Sequence, residues 1–100
     1  MKNTQQREVA LNRIKEGLKR YEAYRNELKG LLKEKHTDHE FTSALNKVSR
    51  QHGIVSGTLY LALSLELIDV FEFSGLTNKL IEIGEKFYKE WWKWNFQIEV

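Results

Sequence analysis

IVSGTLYLALSLELIDVFEF, residues 54–73, satisfies two secondary-structure patterns at once. Leu59, Leu61, Leu63, Leu65 and Leu67 alternate as they would in a strand, whereas leucine and alanine as residue types favour helix. Read as a helix from Ser56 to Asp69, the segment is apolar around most of its circumference. Only Thr58, Ala62, Glu66 and Asp69 form a narrow, less apolar face. A helix apolar on nearly every side is normally enclosed by its neighbours. The expectation is a central helix over 56–69 with other helices around it.

The first third of the chain supplies one of them. Leu11, Ile14, Leu18, Tyr21, Leu28 and Leu32 recur at spacings of three, four, three, seven and four, with Arg25 inside the gap of seven. This is a heptad seam with one charged member. A helix over 4–35 would be roughly 45 Å long, beyond the ~30 Å diameter of a small domain. It therefore bends at Gly17 or Gly30, or it projects and pairs with another chain. On the second alternative Leu11, Ile14, Leu18, Tyr21, Arg25, Leu28 and Leu32 form an oligomer interface, and the chain is a homo-oligomer.

Thr37 and Glu40 have the spacing of a capping box, which starts a second helix over 38–52. Phe41, Ala44, Leu45, Val48 and His52 fall on one of its faces, and Gly53 is a plausible stop. After Ser74-Gly75 the positions Leu76, Leu80, Ile83, Phe87, Trp91 and Trp94 predict a fourth helix over 76–94. Residues 95–100 alternate instead, as 70–73 do in part, so the two segments are candidates for a short β-ribbon. The aromatic run 87–96 covers more of a helix than one buried face needs. Tyr88 and Trp92 are left over as anchors for a protein partner.

Composition agrees with an all-α single domain spanning residues 1–100, a bundle of about four helices. The chain has no proline, six glycines, 41% hydrophobic and 30% charged residues, and 12 aromatic side chains, too many for a disordered segment. It has no cysteine, which removes disulfides, thiolate nucleophiles and iron–sulfur clusters. Residues 1–36 hold ten Lys/Arg against five Glu, and no Lys or Arg stands between Arg50 and Lys79. The N-terminus lacks the apolar stretch of a secretory signal, and Glu66 and Asp69 interrupt the most apolar run. A cytoplasmic protein is expected, with a membrane surface the least favoured partner.

No catalytic constellation emerges. The serines lie in no nucleophile-elbow pattern and phosphate-binding loops are missing. His36, Asp38, His39 and Glu40 cluster within five residues, but without HExxH spacing or a second ligand pair. A non-enzymatic chain without metal or cofactor is the expectation, one that binds itself or a protein partner through helix packing.

Residues 48–60, VSRQHGIVSGTLY, resemble the helix-turn-helix of tetracycline-repressor-type regulators. In that pattern a helix, a glycine turn and a Gly-Thr-Leu-Tyr start to the recognition helix occur in this order. The resemblance implies a tight turn at Gly53, packing of Val48, Ile54 and Leu59, and caps from Ser56 and Thr58. It makes DNA the alternative partner, with Lys47, Arg50, Ser56, Gly57 and Tyr60 as contacts. The leucines that follow depart from it, because a recognition helix presents polar and basic side chains.

Overall fold

The computed structural model describes the backbone of residues 4–95 and the side chains of residues 4–86. It is all-α: α1 (Thr4–Lys33), α2 (Asp38–Ser64) and α3 (Val70–Asn95), with no strand among the described residues. The three helices form a long slab of 56 × 29 × 15 Å, and α1 and α2 share the largest contact.

The long first helix runs unbroken through Gly17 and Gly30. Its heptad seam is used inside the chain: Ile14, Leu18, Tyr21 and Leu28 are buried, and Leu11 and Leu32 pack against the core. The same core takes Ala44, Val48, Val55, Leu59 and Ala62 from α2, and Leu76 and Leu80 from α3. On α2 the buried positions 44, 48, 51, 55, 59 and 62 step by four, three, four, four and three, a seam that matches that of α1.

The expected break at Gly53 is absent, and so is the corner of a helix-turn-helix. Residues 48–60 lie within one helix, and no described glycine adopts a positive φ. Each exposed mid-helix glycine costs about 1 kcal/mol relative to alanine. The uninterrupted buried seam on both sides of Gly53 outweighs that cost. The expected second and third helices therefore merge, and three helices replace four. Thr37 and Glu40 do form the capping box, with Glu40 N–H donating to Thr37 Oγ1 at 3.0 Å and Thr37 N–H to Glu40 Oε1 at 3.1 Å.

The chain turns instead at residues 65–69. Leu67 N–H donates to the Ala62 carbonyl at 2.9 Å and Glu66 N–H to the Leu63 carbonyl at 3.0 Å, a Schellman closure of α2. Its left-handed position is held by Glu66, at φ 59°, where glycine is usual. Asp69 then caps α3: Glu72 N–H donates to Asp69 Oδ1 at 2.8 Å, and Asp69 N–H returns to Glu72 Oε1 at 3.0 Å. Val70–Phe73, expected as half of a ribbon, are the first turn of α3; of the other half, residues 95–100, Asn95 is the last residue of α3 and 96–100 lie outside the described residues.

Two glycines mark opposite situations. A Cβ on Gly17 would stand 3.0 Å from Val55 Cγ2, whereas one on Gly53 would meet nothing within 4 Å. Gly53→Ala is expected to stabilise the fold by about 0.5–1 kcal/mol, through helix propensity alone. Gly17→Ala is expected to destabilise it by about 1–3 kcal/mol, because Val55 has to move. Thermal melts read both, each kcal/mol shifting the midpoint by roughly 4–8 °C in a domain of this size. A loss of stability in Gly53→Ala would show that a turn, not a helix, occupies that position.

Candidate functional site

Helix α2 is apolar on more sides than α1 and α3 cover. One side is its buried seam, and Tyr60 leans on Phe73 of α3 with ring centroids 5.1 Å apart. Ile54, Leu61 and Leu65, spaced by seven and four, share a further strip and are 51%, 59% and 50% exposed. Thr58 lies on the same strip, its hydroxyl spent on the Ile54 carbonyl one turn back at 2.8 Å. Across from it runs the N-terminal part of α1, where Gln5, Val9 and Arg13 follow one another at helical spacing. The two walls enclose an open groove of about 810 Å³, floored by Ala10 and Ala62 and closed at one end by Leu67.

Next to that end, on the far side of Leu67, lies Arg7. Its guanidinium grips both carboxylate oxygens of Glu72, the Nη1–Oε1 distance being 2.8 Å, and donates to the Leu67 carbonyl at 3.1 Å. One side chain of α1 thus ties together the turn after α2 and the capping box of α3. The hydrogen bonds from Arg7, helped by the Asp69 N–H, lower the Glu72 carboxyl from 4.5 to about 2. Glu72 in turn raises the Arg7 guanidinium.

The residues singled out from sequence fare unevenly. Ile14, Leu18, Tyr21 and Leu28 are occupied within the chain, so the seam of α1 is a core and not a free oligomer interface. Arg25 is satisfied internally too, donating through Nε and Nη2 to the buried Tyr21 hydroxyl at 3.0 and 2.6 Å. Gly84 of α3 lies against this pair, where a Cβ would stand 3.4 Å from the Tyr21 oxygen. Lys47 pairs with Glu27 of α1 at 3.4 Å. Arg50 and Gly57 lie two turns apart on exposed α2, but Tyr60 turns to α3 and Ser56 is half-buried, so the DNA set does not gather on one ridge. The side chains of Tyr88 and Trp92 lie outside the described residues.

Around the connection between α1 and α2, His36 Nδ1 lies 3.0 Å from the Glu34 carbonyl and its ring stacks on Phe41, while Glu40 serves the capping box. Among the described residues no three His, Asp or Glu side chains converge on a common point, and no helix is long and apolar enough to cross a membrane. The exposed strip of α2 had a signal in the sequence, the leucines on nearly every side of 56–69. The Asp69-x-x-Glu72 box had one as well, the spacing that identified Thr37 and Glu40. Arg7 had none, because its partners lie sixty and sixty-five residues away.

A carboxyl whose folded value lies below its unfolded one adds stability above the unfolded value and loses it as pH falls through the folded one. Glu72 therefore contributes fully above pH 4.5, and its contribution fades toward about pH 2. Glu72→Gln is expected to melt below the wild type at pH 7, with the difference closing over that acid window. A difference that stayed constant down to pH 2 would remove the Arg7–Glu72 clamp from the stability of the fold. No protein-family model, curated protein or solved structure matches the chain, so its function rests on the chemistry of its own surfaces.

Proposed function

We propose that this chain is a small binding protein that works by helix packing and not by catalysis, and that its partner docks on the face made by Val9 of α1 with Ile54, Leu61 and Leu65 of α2. The observation that carries the reading is that exposed Val9, Leu61 and Leu65 line the groove between the two helices, with exposed Ile54 continuing the strip of α2 beyond it. Single exposed apolar residues are ordinary on any protein; a contiguous apolar strip along a groove is characteristic of interaction surfaces.

The chemistry of the groove suits an apolar helix. Anchors at helical spacing along one wall, a second helix as the other wall and a rim of Gln5, Gln6 and Arg13 match the way an amphipathic helix is received. Thr58 has already spent its hydroxyl on its own helix. Most of the lining is apolar: Val9, Ala10, Leu61, Ala62, Leu65 and Leu67.

Binding of anilinonaphthalene sulfonate to the native protein at low micromolar concentration tests the reading. The wild type is expected to enhance the dye's fluorescence. The double variant Leu61→Asp, Leu65→Asp is expected to lose most of that enhancement while keeping its helical circular dichroism and a cooperative melt. Enhancement that is absent in the wild type, or unchanged in the folded double variant, would show that this face is not an accessible apolar docking surface.

A further inference from the structure

Resting on that reading, we infer that the occupant of the groove is an amphipathic helix of another protein whose apolar stripe is flanked by carboxylates, and that Arg13, Arg20 and Arg50 receive those carboxylates. Among the described residues Arg13 is the one charged side chain that lines the groove. The two walls run antiparallel: Val55 of α2 rests on Gly17 of α1, and further along Lys47 pairs with Glu27. Exposed Arg20 and Arg50 fall between these two contacts, one on each helix, past the open end of the groove. Arg20 is two turns from Arg13 and Arg50 one turn from Ile54, so each continues its own wall.

These arginines are free to meet a partner. Glu27 is taken by Lys47, and Glu16, which stands between Arg13 and Arg20 on α1, forms no ion pair with either. At the other end Glu66 and Asp69 belong to the turn after α2, on the side of Leu67 where Arg7 lies, and not to the lining of the groove. An apolar strip framed by cations without internal partners favours a ligand that brings apolar anchors and negative charge together, the charge guiding approach and excluding basic competitors.

Shape decides for a helix over an anionic bilayer. From Ile54 to Leu65 the strip runs roughly 16 Å, the length of about three helical turns. The floor of Ala10 and Ala62 lies between two helical walls, in a groove of about 810 Å³. A third helix can lower its side chains onto that floor, as helices are received in grooves, whereas a planar surface rests on the rims and leaves the alanines uncovered.

Fluorescence anisotropy of labelled synthetic peptides tests the inference on the full chain. One peptide of about 18 residues carries leucines at heptad spacing flanked by glutamates, and its counterpart carries lysines in place of the glutamates, both being good helix formers. The wild type is expected to bind the glutamate peptide about tenfold more tightly at ~0.05 M salt, and to lose most of that preference at ~0.5 M. Arg13→Glu, Arg50→Glu is expected to reverse the preference. Lys15→Glu, Lys19→Glu changes the net charge equally, but on the other side of α1, where both lysines line a groove with Leu76 and Lys79 of α3. That variant is expected to keep most of the preference. Leu61→Asp is expected to weaken both peptides, and circular dichroism verifies that each variant is folded.

Equal affinity for the two peptides, or tighter binding of the lysine peptide, would overturn the inference. So would an equal loss of preference in the arginine and lysine variants, which would reduce the effect to net charge. Failure of both peptides, with phosphatidylglycerol vesicles binding the wild type but not Leu61→Asp, would overturn it in favour of a bilayer. In each of these cases dye enhancement that is present in the wild type and lost in Leu61→Asp, Leu65→Asp leaves the docking face standing without an acidic helix. Absence of enhancement in the wild type removes both readings.

Discussion

The molecule is organised by the crossing of α1 and α2 at Gly17. With no Cβ there, Val55 reaches the backbone of α1, and the buried amide of Gln51 donates to the Gly17 carbonyl at 3.1 Å. The contact is short-range packing plus one satisfied polar group, and the two have different consequences. Packing sets how close the helices come. The hydrogen bond fixes their register, because a slip would leave a buried amide without its acceptor. With α1 and α2 in that register, Ile14, Leu18 and Tyr21 meet the seam of α2, and Gly84 of α3 closes over Tyr21 and Arg25. Val9 is brought to the same level as Leu61 and Leu65. The groove is a consequence of the crossing.

At the other end of the molecule Arg7 resolves a local difficulty. The turn after α2 places Glu66 in a left-handed conformation, which costs a residue with a Cβ roughly 1–2 kcal/mol. The carbonyl of Leu67 and the charge of Glu72 also accumulate where α2 ends and α3 begins. The guanidinium neutralises the carboxylate and donates to both of its oxygens and to the Leu67 carbonyl. This fixes where the N-terminus of α1 sits and hence the position of one wall of the groove. The pair is partly exposed, so its influence lies in orientation more than in raw stability.

What could be read in the sequence was periodicity; what could not was which surface each period faces. The seam of α1 was visible from Leu11 to Leu32, but a seam looks alike whether its cover comes from the same chain or another. Here it is α2, through a matching seam that runs across Gly53. In the sequence that glycine reads as a stop, because glycine often ends helices. Propensity at one residue was overruled by six buried positions that keep one spacing on both sides of it. The capping box at Thr37 was legible because all its parts are local. The leucines of 56–69 imply an enclosed helix of their own, whereas 56–64 are the end of α2, 65–69 are the turn after it, and three helices leave Leu61 and Leu65 exposed. The mismatch between a helix patterned for enclosure and a bundle with too few members is what leaves the strip of Ile54, Leu61 and Leu65 exposed.

Gly57 carries the same logic one step further. It follows Ile54 by three residues and precedes Leu61 by four, so it borders the exposed strip, and a Cβ there would meet nothing within 4 Å. In the isolated chain a glycine at that position brings only a cost, about 1 kcal/mol relative to alanine. Gly17 is explained by the valine of α2 that rests on it. Gly57 has no such neighbour inside the chain: it is bare backbone beside the exposed apolar strip of α2, so its packing role, unlike that of Gly17, is not within the three helices.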